Sequence, residues 1–167
     1  VREFLEARLR STVGDEAVAA LHQRVGLATM GIDWRVAAHH FREAGDQAAV
    51  AATVAEAIPQ IMSSAAYTSA LEFIDETPVE LRRPGFGVVM SRVRMQRGDY
   101  DGALEAAEKV LEGEPTPAER DHALLNLLTL HINAGNGADA MVLATTLEET
   151  TGVENLRLIA QAAQEAR

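Results

Sequence analysis

The sequence contains no cysteine, which excludes disulfides, thiol nucleophiles and thiolate metal sites together. Aromatic residues make up 4% of its 167 residues. The core must therefore come from aliphatic and alanine side chains, whose small faces let helices approach closely. No apolar run approaches the roughly 18 to 20 residues that a membrane span needs, and no charged-then-apolar leader opens the chain. Positive charge is also scarce. A net charge of −10 and a pI near 4.9 oppose general binding to nucleic acid or anionic membrane, because a polyanion must meet a cationic face to release its counterions. A reducing cytoplasm is the expected location, with no direct nucleic-acid or membrane partner. Val1 stands where a start methionine would, so we expect a segment of a longer polypeptide.

What is present is 47% hydrophobic residues, enough for a substantial core, and they are distributed periodically. Gly98-Asp99-Tyr100-Asp101-Gly102-Ala103-Leu104 reads as a turn that closes one helix and opens the next. Ala65-Ala66-Tyr67-Thr68-Ser69-Ala70-Leu71 precedes it by 33 residues, and Gly135-Asn136-Gly137-Ala138-Asp139-Ala140-Met141 follows it by 37. A period in this range marks helix pairs that bury their apolar faces only by stacking. The expected fold is all-α, an α-solenoid of stacked antiparallel helix pairs over residues 1–167. Residues 1–32 form a helical lead-in, 33–152 the repeats and 153–167 a capping helix.

Taken in order, residues 2–12 place Phe4, Leu5, Ala7 and Leu9 on a short amphipathic helix. Asp15 caps a second helix with a Val18, Leu21, Val25 and Ala28 stripe, ended by a left-handed Gly31. Asp33 opens a third, with Trp34, Ala37, Ala38 and Phe41 inward, and Gly45-Asp46 repeats the stop-and-start signal. An alanine-rich helix from Gln47 to about Ser64 should break between Ile58 and Pro59, where proline deletes a backbone donor. Tyr67, Ala70, Leu71 and Ile74 form the same stripe as Tyr100, Ala103, Leu104 and Ala107. Thr77-Pro78-Val79-Glu80 and Thr116-Pro117-Ala118-Glu119 both read as capping boxes. The first starts a single turn, cut off by Pro84-Gly85. The second starts a long helix whose Leu124, Leu125, Leu127, Leu128, Leu130 and Ile132 are apolar nearly all round. A helix from Ala138 to about Leu147 follows, then a stop at Gly152. The last helix turns Leu156, Ile159, Ala160 and Ala163 inward and Glu154, Arg157, Gln161 and Gln164 toward water.

Arg97-Gly98-Asp99-Tyr100-Asp101-Gly102-Ala103-Leu104 through Pro115 resembles a tetratricopeptide repeat, with Ala103 at the helix contact and Pro115 closing the unit. Gly87, Met90 and Ser91 depart from the large aromatic and leucine-glycine pair usual in that family's first helix. Three stretches further resemble the helical sensor arm of MalT-like and LuxR-type STAND transcriptional regulators. They are Arg2-Glu3-Phe4-Leu5 with Arg8-Leu9-Arg10, then Ala20-Leu21-His22-Gln23-Arg24-Val25, then Asp33 through Asp46. The resemblance implies an arm that binds an inducer or partner controlling ATP-dependent assembly. A phosphate-binding Gly-x-x-x-x-Gly-Lys loop and a basic helix-turn-helix are missing from these 167 residues, so neither ATP hydrolysis nor DNA binding carries over to them.

Candidate chemistry is sparse. Gly135-Asn136-Gly137-Ala138-Asp139-Ala140 fits Gly-x-Gly-x-x-Ala, but a leucine-rich helix precedes it instead of the strand a dinucleotide site requires. His39, His40 and Glu43 are the one metal-like cluster, short of a third rigid ligand, and His22 stands alone. Ser63, Ser64, Ser69 and Ser91 lack a histidine at identifiable spacing, and the Glu105, Glu108, Glu112 and Glu114 carboxylates read as a solvated face. We assign no catalytic, cofactor or metal residue. Arg82, Arg83, Arg92, Arg94 and Arg97 concentrate the positive charge, for ion pairs or for an acidic partner. The tetratricopeptide register puts Arg92, Met95, Gln96, His122, Leu125, Thr129 and Asn133 in the groove. That set suits a protein or peptide partner or a small polar inducer; self-association is also open. The chain reads as a non-catalytic sensor or interaction arm, or alternatively as a freestanding tetratricopeptide adaptor.

Overall fold

The computed structural model describes residue 8 and residues 11–152 and 155–165. The expected stripe of Phe4, Leu5, Ala7 and Leu9, and Glu154, lie outside them. The described residues are all-helical and contain no strand. None of their helices is long and apolar enough to cross a membrane. The chain divides into two compact units, one of Val1–Ala57 with Glu72–Arg82, the other of Ile58–Leu71 with Arg83–Arg167.

The first unit contains α1 (Asp15–Thr29), α2 (Trp34–Glu43) and α3 (Gln47–Glu56), then the second half of α5 (Tyr67–Glu76) and a 3-10 turn, Val79–Leu81. Helix α2 packs on both α1 and α3. It starts where the Asp33 carboxylate accepts from the amides of Arg35 (2.9 Å) and Val36 (3.4 Å), satisfying donors that lack a helical partner. Trp34, Ala37, Ala38 and Phe41 are all buried, as their spacing predicts, and Trp34 meets Phe73 edge-on with ring centroids 6.2 Å apart.

Helix α1 corrects the expected stripe. Val18 is buried, but Leu21, Val25 and Ala28 are exposed. The face toward α2 is instead the glycine line, because a Cβ on Gly26 would lie 2.7 Å from the Phe41 ring. The ring packs on bare backbone, and the aliphatic line turns outward. Asp15 lies in the first turn, after Gly14 at the cap position. Gly31 is not left-handed: Met30 keeps a right-handed conformation, and the amides of Ile32 and Asp33 both close on the Thr29 carbonyl.

The second unit contains α4 (Ile58–Ser64), the first half of α5, α6 (Phe86–Gln96), α7 (Tyr100–Glu112), α8 (Pro117–Ala134), α9 (Gly137–Thr151) and α10 (Leu156–Glu165). Each helix from α6 onward packs on the next. In addition α6 meets α8, α8 meets α10, and α4 touches α6 and α8. The core between α8, α9 and α10 is Leu124, Leu128, Ala140, Ala144, Leu147 and Ala160. Pro59 is the second residue of α4, where its missing donor costs nothing, so the expected break falls one residue early, at Ala57. The Thr116 box forms in full: the hydroxyl accepts from the Glu119 amide, and the Glu119 carboxylate accepts from the Thr116 amide at 2.8 Å. The Thr77 box does not. Its hydroxyl donates backward to the Phe73 carbonyl at 2.8 Å, because only a three-residue turn follows. In α10 the contact line is Leu156, Ala160 and Ala163, and Ile159 is exposed.

The recurring device is a backbone one. Gly45, Ala65, Gly98 and Gly135 take φ of 76°, 54°, 77° and 77°. After each, the next amide reaches back five positions, Asp46 to Phe41, Ala66 to Ile61, Asp99 to Arg94 and Asn136 to His131, at 2.9 to 3.0 Å. This is the Schellman closure, which satisfies carbonyls left over at a helix end. Four residues after each of these amide donors stands a buried Val50, Ala70, Ala103 or Ala140. The tyrosines do not follow the same rule: Tyr67 is half-buried and donates to the Met62 carbonyl at 3.3 Å, whereas Tyr100 is exposed. A buried apolar residue, alanine at three of the four turns, is what recurs, not the aromatic. Ala65 carries a Cβ in the left-handed region, which costs about 1–2 kcal/mol. Ala65→Gly is therefore expected to raise stability by about 0.5–1 kcal/mol after the entropy that glycine adds to the unfolded chain, as read by urea denaturation.

Candidate ligand-binding face

The seam between α6 and α8 brings together part of the set read from the sequence. Asn126 is fully buried and its Nδ2 donates to the Val88 carbonyl at 3.0 Å, fastening α8 to α6. One turn along on each helix, Arg92 and His122 come within electrostatic reach of each other, both half-buried. Burial holds His122 below the usual imidazole range; the Asp121 carboxylate opposes this and the Arg92 cation adds to it. The ring is therefore biased toward its neutral form, able to donate at one nitrogen and accept at the other.

Of the remaining groove candidates, Met95 and Leu125 are half-buried and Gln96 and Asn133 are exposed. The Thr129 hydroxyl donates to the Leu125 carbonyl at 2.8 Å, within its own helix. Arg94 is engaged elsewhere, donating to the Gly102 carbonyl at 2.7 Å and lying 4.0 Å from the Asp99 carboxylate. Arg82 donates to the Thr77 carbonyl at 3.3 Å.

Two cavities open away from this seam. One of about 770 Å³ is lined by Met141, Glu148, Arg157 and Leu158 among others, with Glu148 paired to Arg157. Arg157 hydrogen bonds hold the Glu148 carboxyl below the usual carboxylate range. The other, about 400 Å³, includes His131 and Asp139, whose Nδ1 and Oδ2 are 3.7 Å apart.

In the other unit, the sequence missed a contact. His22 does not stand alone: its Nδ1 lies 2.8 Å from Nδ1 of His40, across α1 and α2. His39 stacks edge-on against His40 and its Nδ1 lies 3.3 Å from an Arg42 nitrogen. Arg42 in turn pairs with Glu76 at 3.3 Å. Among the described residues no group of three His, Cys, Asp or Glu side chains is placed to hold a metal ion. The glycines of Gly135-Asn136-Gly137 join two helices, so no strand delivers them to a dinucleotide. Comparison with family models, curated proteins and solved structures finds no match.

Proposed function

We propose that this chain is a non-catalytic helical-repeat binding segment, a tetratricopeptide-like stack of antiparallel helix pairs. Its α6–α8 face takes a protein, a peptide or a small polar inducer, and the segment serves as the sensor or interaction arm of a larger STAND-type transcriptional regulator working in the cytoplasm. Support for the repeat reading comes from the four equivalent turns and from the way α6 and α8 each touch the next helix and the next but one. Support for the binding face comes from one observation above the others: Arg92 and His122, 30 positions apart in sequence, lie within electrostatic reach of each other on α6 and α8, both half-buried. Separated polar groups from two helices are what a site needs to orient a polar ligand.

The test is selection followed by charge reversal. Peptides displayed on phage and a panel of polar metabolites are selected on the wild-type chain, and the best binder is titrated by calorimetry. Arg92→Glu with Gln96→Glu is expected to weaken binding by about tenfold or more, the loss of one charged contact, with the helical circular dichroism unchanged. Undiminished binding to the folded double variant would remove this face from the function. An ATPase module encoded upstream in the same reading frame would favour the regulator arm over a freestanding adaptor.

A further inference from the structure

Among the described residues, the half-buried arginines are each engaged except one. Arg42 pairs with Glu76, and Arg94 with Asp99 and the Gly102 carbonyl. Arg92 makes no hydrogen bond or ion pair among the described residues, and its Nε is enclosed without an acceptor. In a chain carrying 25 acidic residues against 15 lysines and arginines, a cation left unpaired is not for want of carboxylates. Its two Nη groups are not enclosed and have no partner either, so the outer edge of the fork is open to an anion supplied from outside. The planar fork also suits a bidentate oxyanion, carboxylate or phosphate, better than it suits a neutral ligand.

We propose that Arg92 is an oxyanion-binding residue, and that the ligand of the α6–α8 face carries a carboxylate or phosphate group that docks on it beside His122. This rests on the α6–α8 face being the binding face, and narrows its ligand to an anion. His122 supplies a neutral donor at the edge of the anion, and the Asp121 carboxylate beside His122 disfavours a second negative group on that side. The same arrangement accepts the oxyanion of an acidic peptide side chain or of a phosphorylated molecule.

Nitrogen-15 NMR of the arginine Nε–Hε groups tests this with inorganic phosphate and with acetate in separate titrations. The exposed Arg83, Arg97 and Arg120 serve as references for loose association. The Arg92 resonance is expected to saturate at concentrations about tenfold below those that move the references, and the imidazole titration of His122 to move upward as the anion offsets the Arg92 charge. In Arg92→Gln the His122 response is lost, and in Arg92→Lys, which keeps the charge without the fork, it is weakened. A response to phosphate alone marks a phosphoryl ligand and a response to acetate alone a carboxylate ligand; either upholds the site. If Arg92 responds no earlier than the exposed arginines to both anions, the site is refuted. Anion binding at Arg92 combined with undiminished partner binding in the charge-reversed variant would leave this inference standing and remove the partner-binding reading.

Discussion

Phe41→Ala is expected to lower the unfolding free energy by about 3–5 kcal/mol, the largest effect of any single substitution considered. The ring is 1% exposed. It fills the space over Gly26, whose missing side chain is the reason α1 lies close to α2. Removing the ring takes away apolar burial and leaves a hole that α1 closes only by moving its backbone. Against a total stability of about 5–15 kcal/mol for an ordinary domain, that loss is measurable in urea at room temperature. Amide exchange should accelerate first in α1, whose one fully buried side chain is Val18. A loss under about 1 kcal/mol would mean that Phe41 does not hold these helices together.

Gly87→Ala is the corresponding test of the second unit, with an expected cost of about 1–3 kcal/mol. A Cβ at this position would stand 2.6 Å from the Ala106 carbonyl oxygen and 2.6 Å from Val110 Cγ2. The first of these is backbone, which cannot swing aside, so α6 and α7 must separate. Gly87 is the second residue of α6, and alanine is ordinarily no worse than glycine in a helix, which makes the sign diagnostic. Gly31→Ala is the control: nothing lies within 4 Å of its Cβ and its φ is not positive, so it should leave thermal melting nearly unchanged. A stabilised Gly87→Ala protein would show that the two helices are further apart than described.

The residues legible in the sequence were those whose partners lie on their own helix or in the turn that ends it. Trp34, Ala37, Ala38 and Phe41 announce their buried face through spacing alone, and Thr116 with Glu119 announces a box that forms because a long apolar run follows. Thr77 and Glu80 carry the same letters and fail, because Pro84-Gly85 leaves the helix no room to propagate. Leu21, Val25 and Ala28 misled for a different reason. Hydropathy counts side chains, and the contact that orients α1 is made by a residue without one. His22 and His40 sit 18 positions apart on different helices, and no periodicity signals that their rings meet. The candidate face lies between these cases: the tetratricopeptide resemblance names Arg92 and His122 in one set, but only the assembled helices reveal that Arg92 Nε lacks an acceptor. Tyr67 and Tyr100, similar in the text, differ in surroundings because the repeated constraint acts on the backbone and on the alanine beneath it.

The Asn126 side chain reports directly on whether α6 and α8 share a face. In an NMR spectrum of the folded chain, the Nδ2 protons of Asn126 should exchange slowly with solvent and show nuclear Overhauser contacts to Val88 and its neighbours on α6. Exchange as fast as that of an asparagine amide in an unfolded peptide, with no contact to α6, would contradict a shared face.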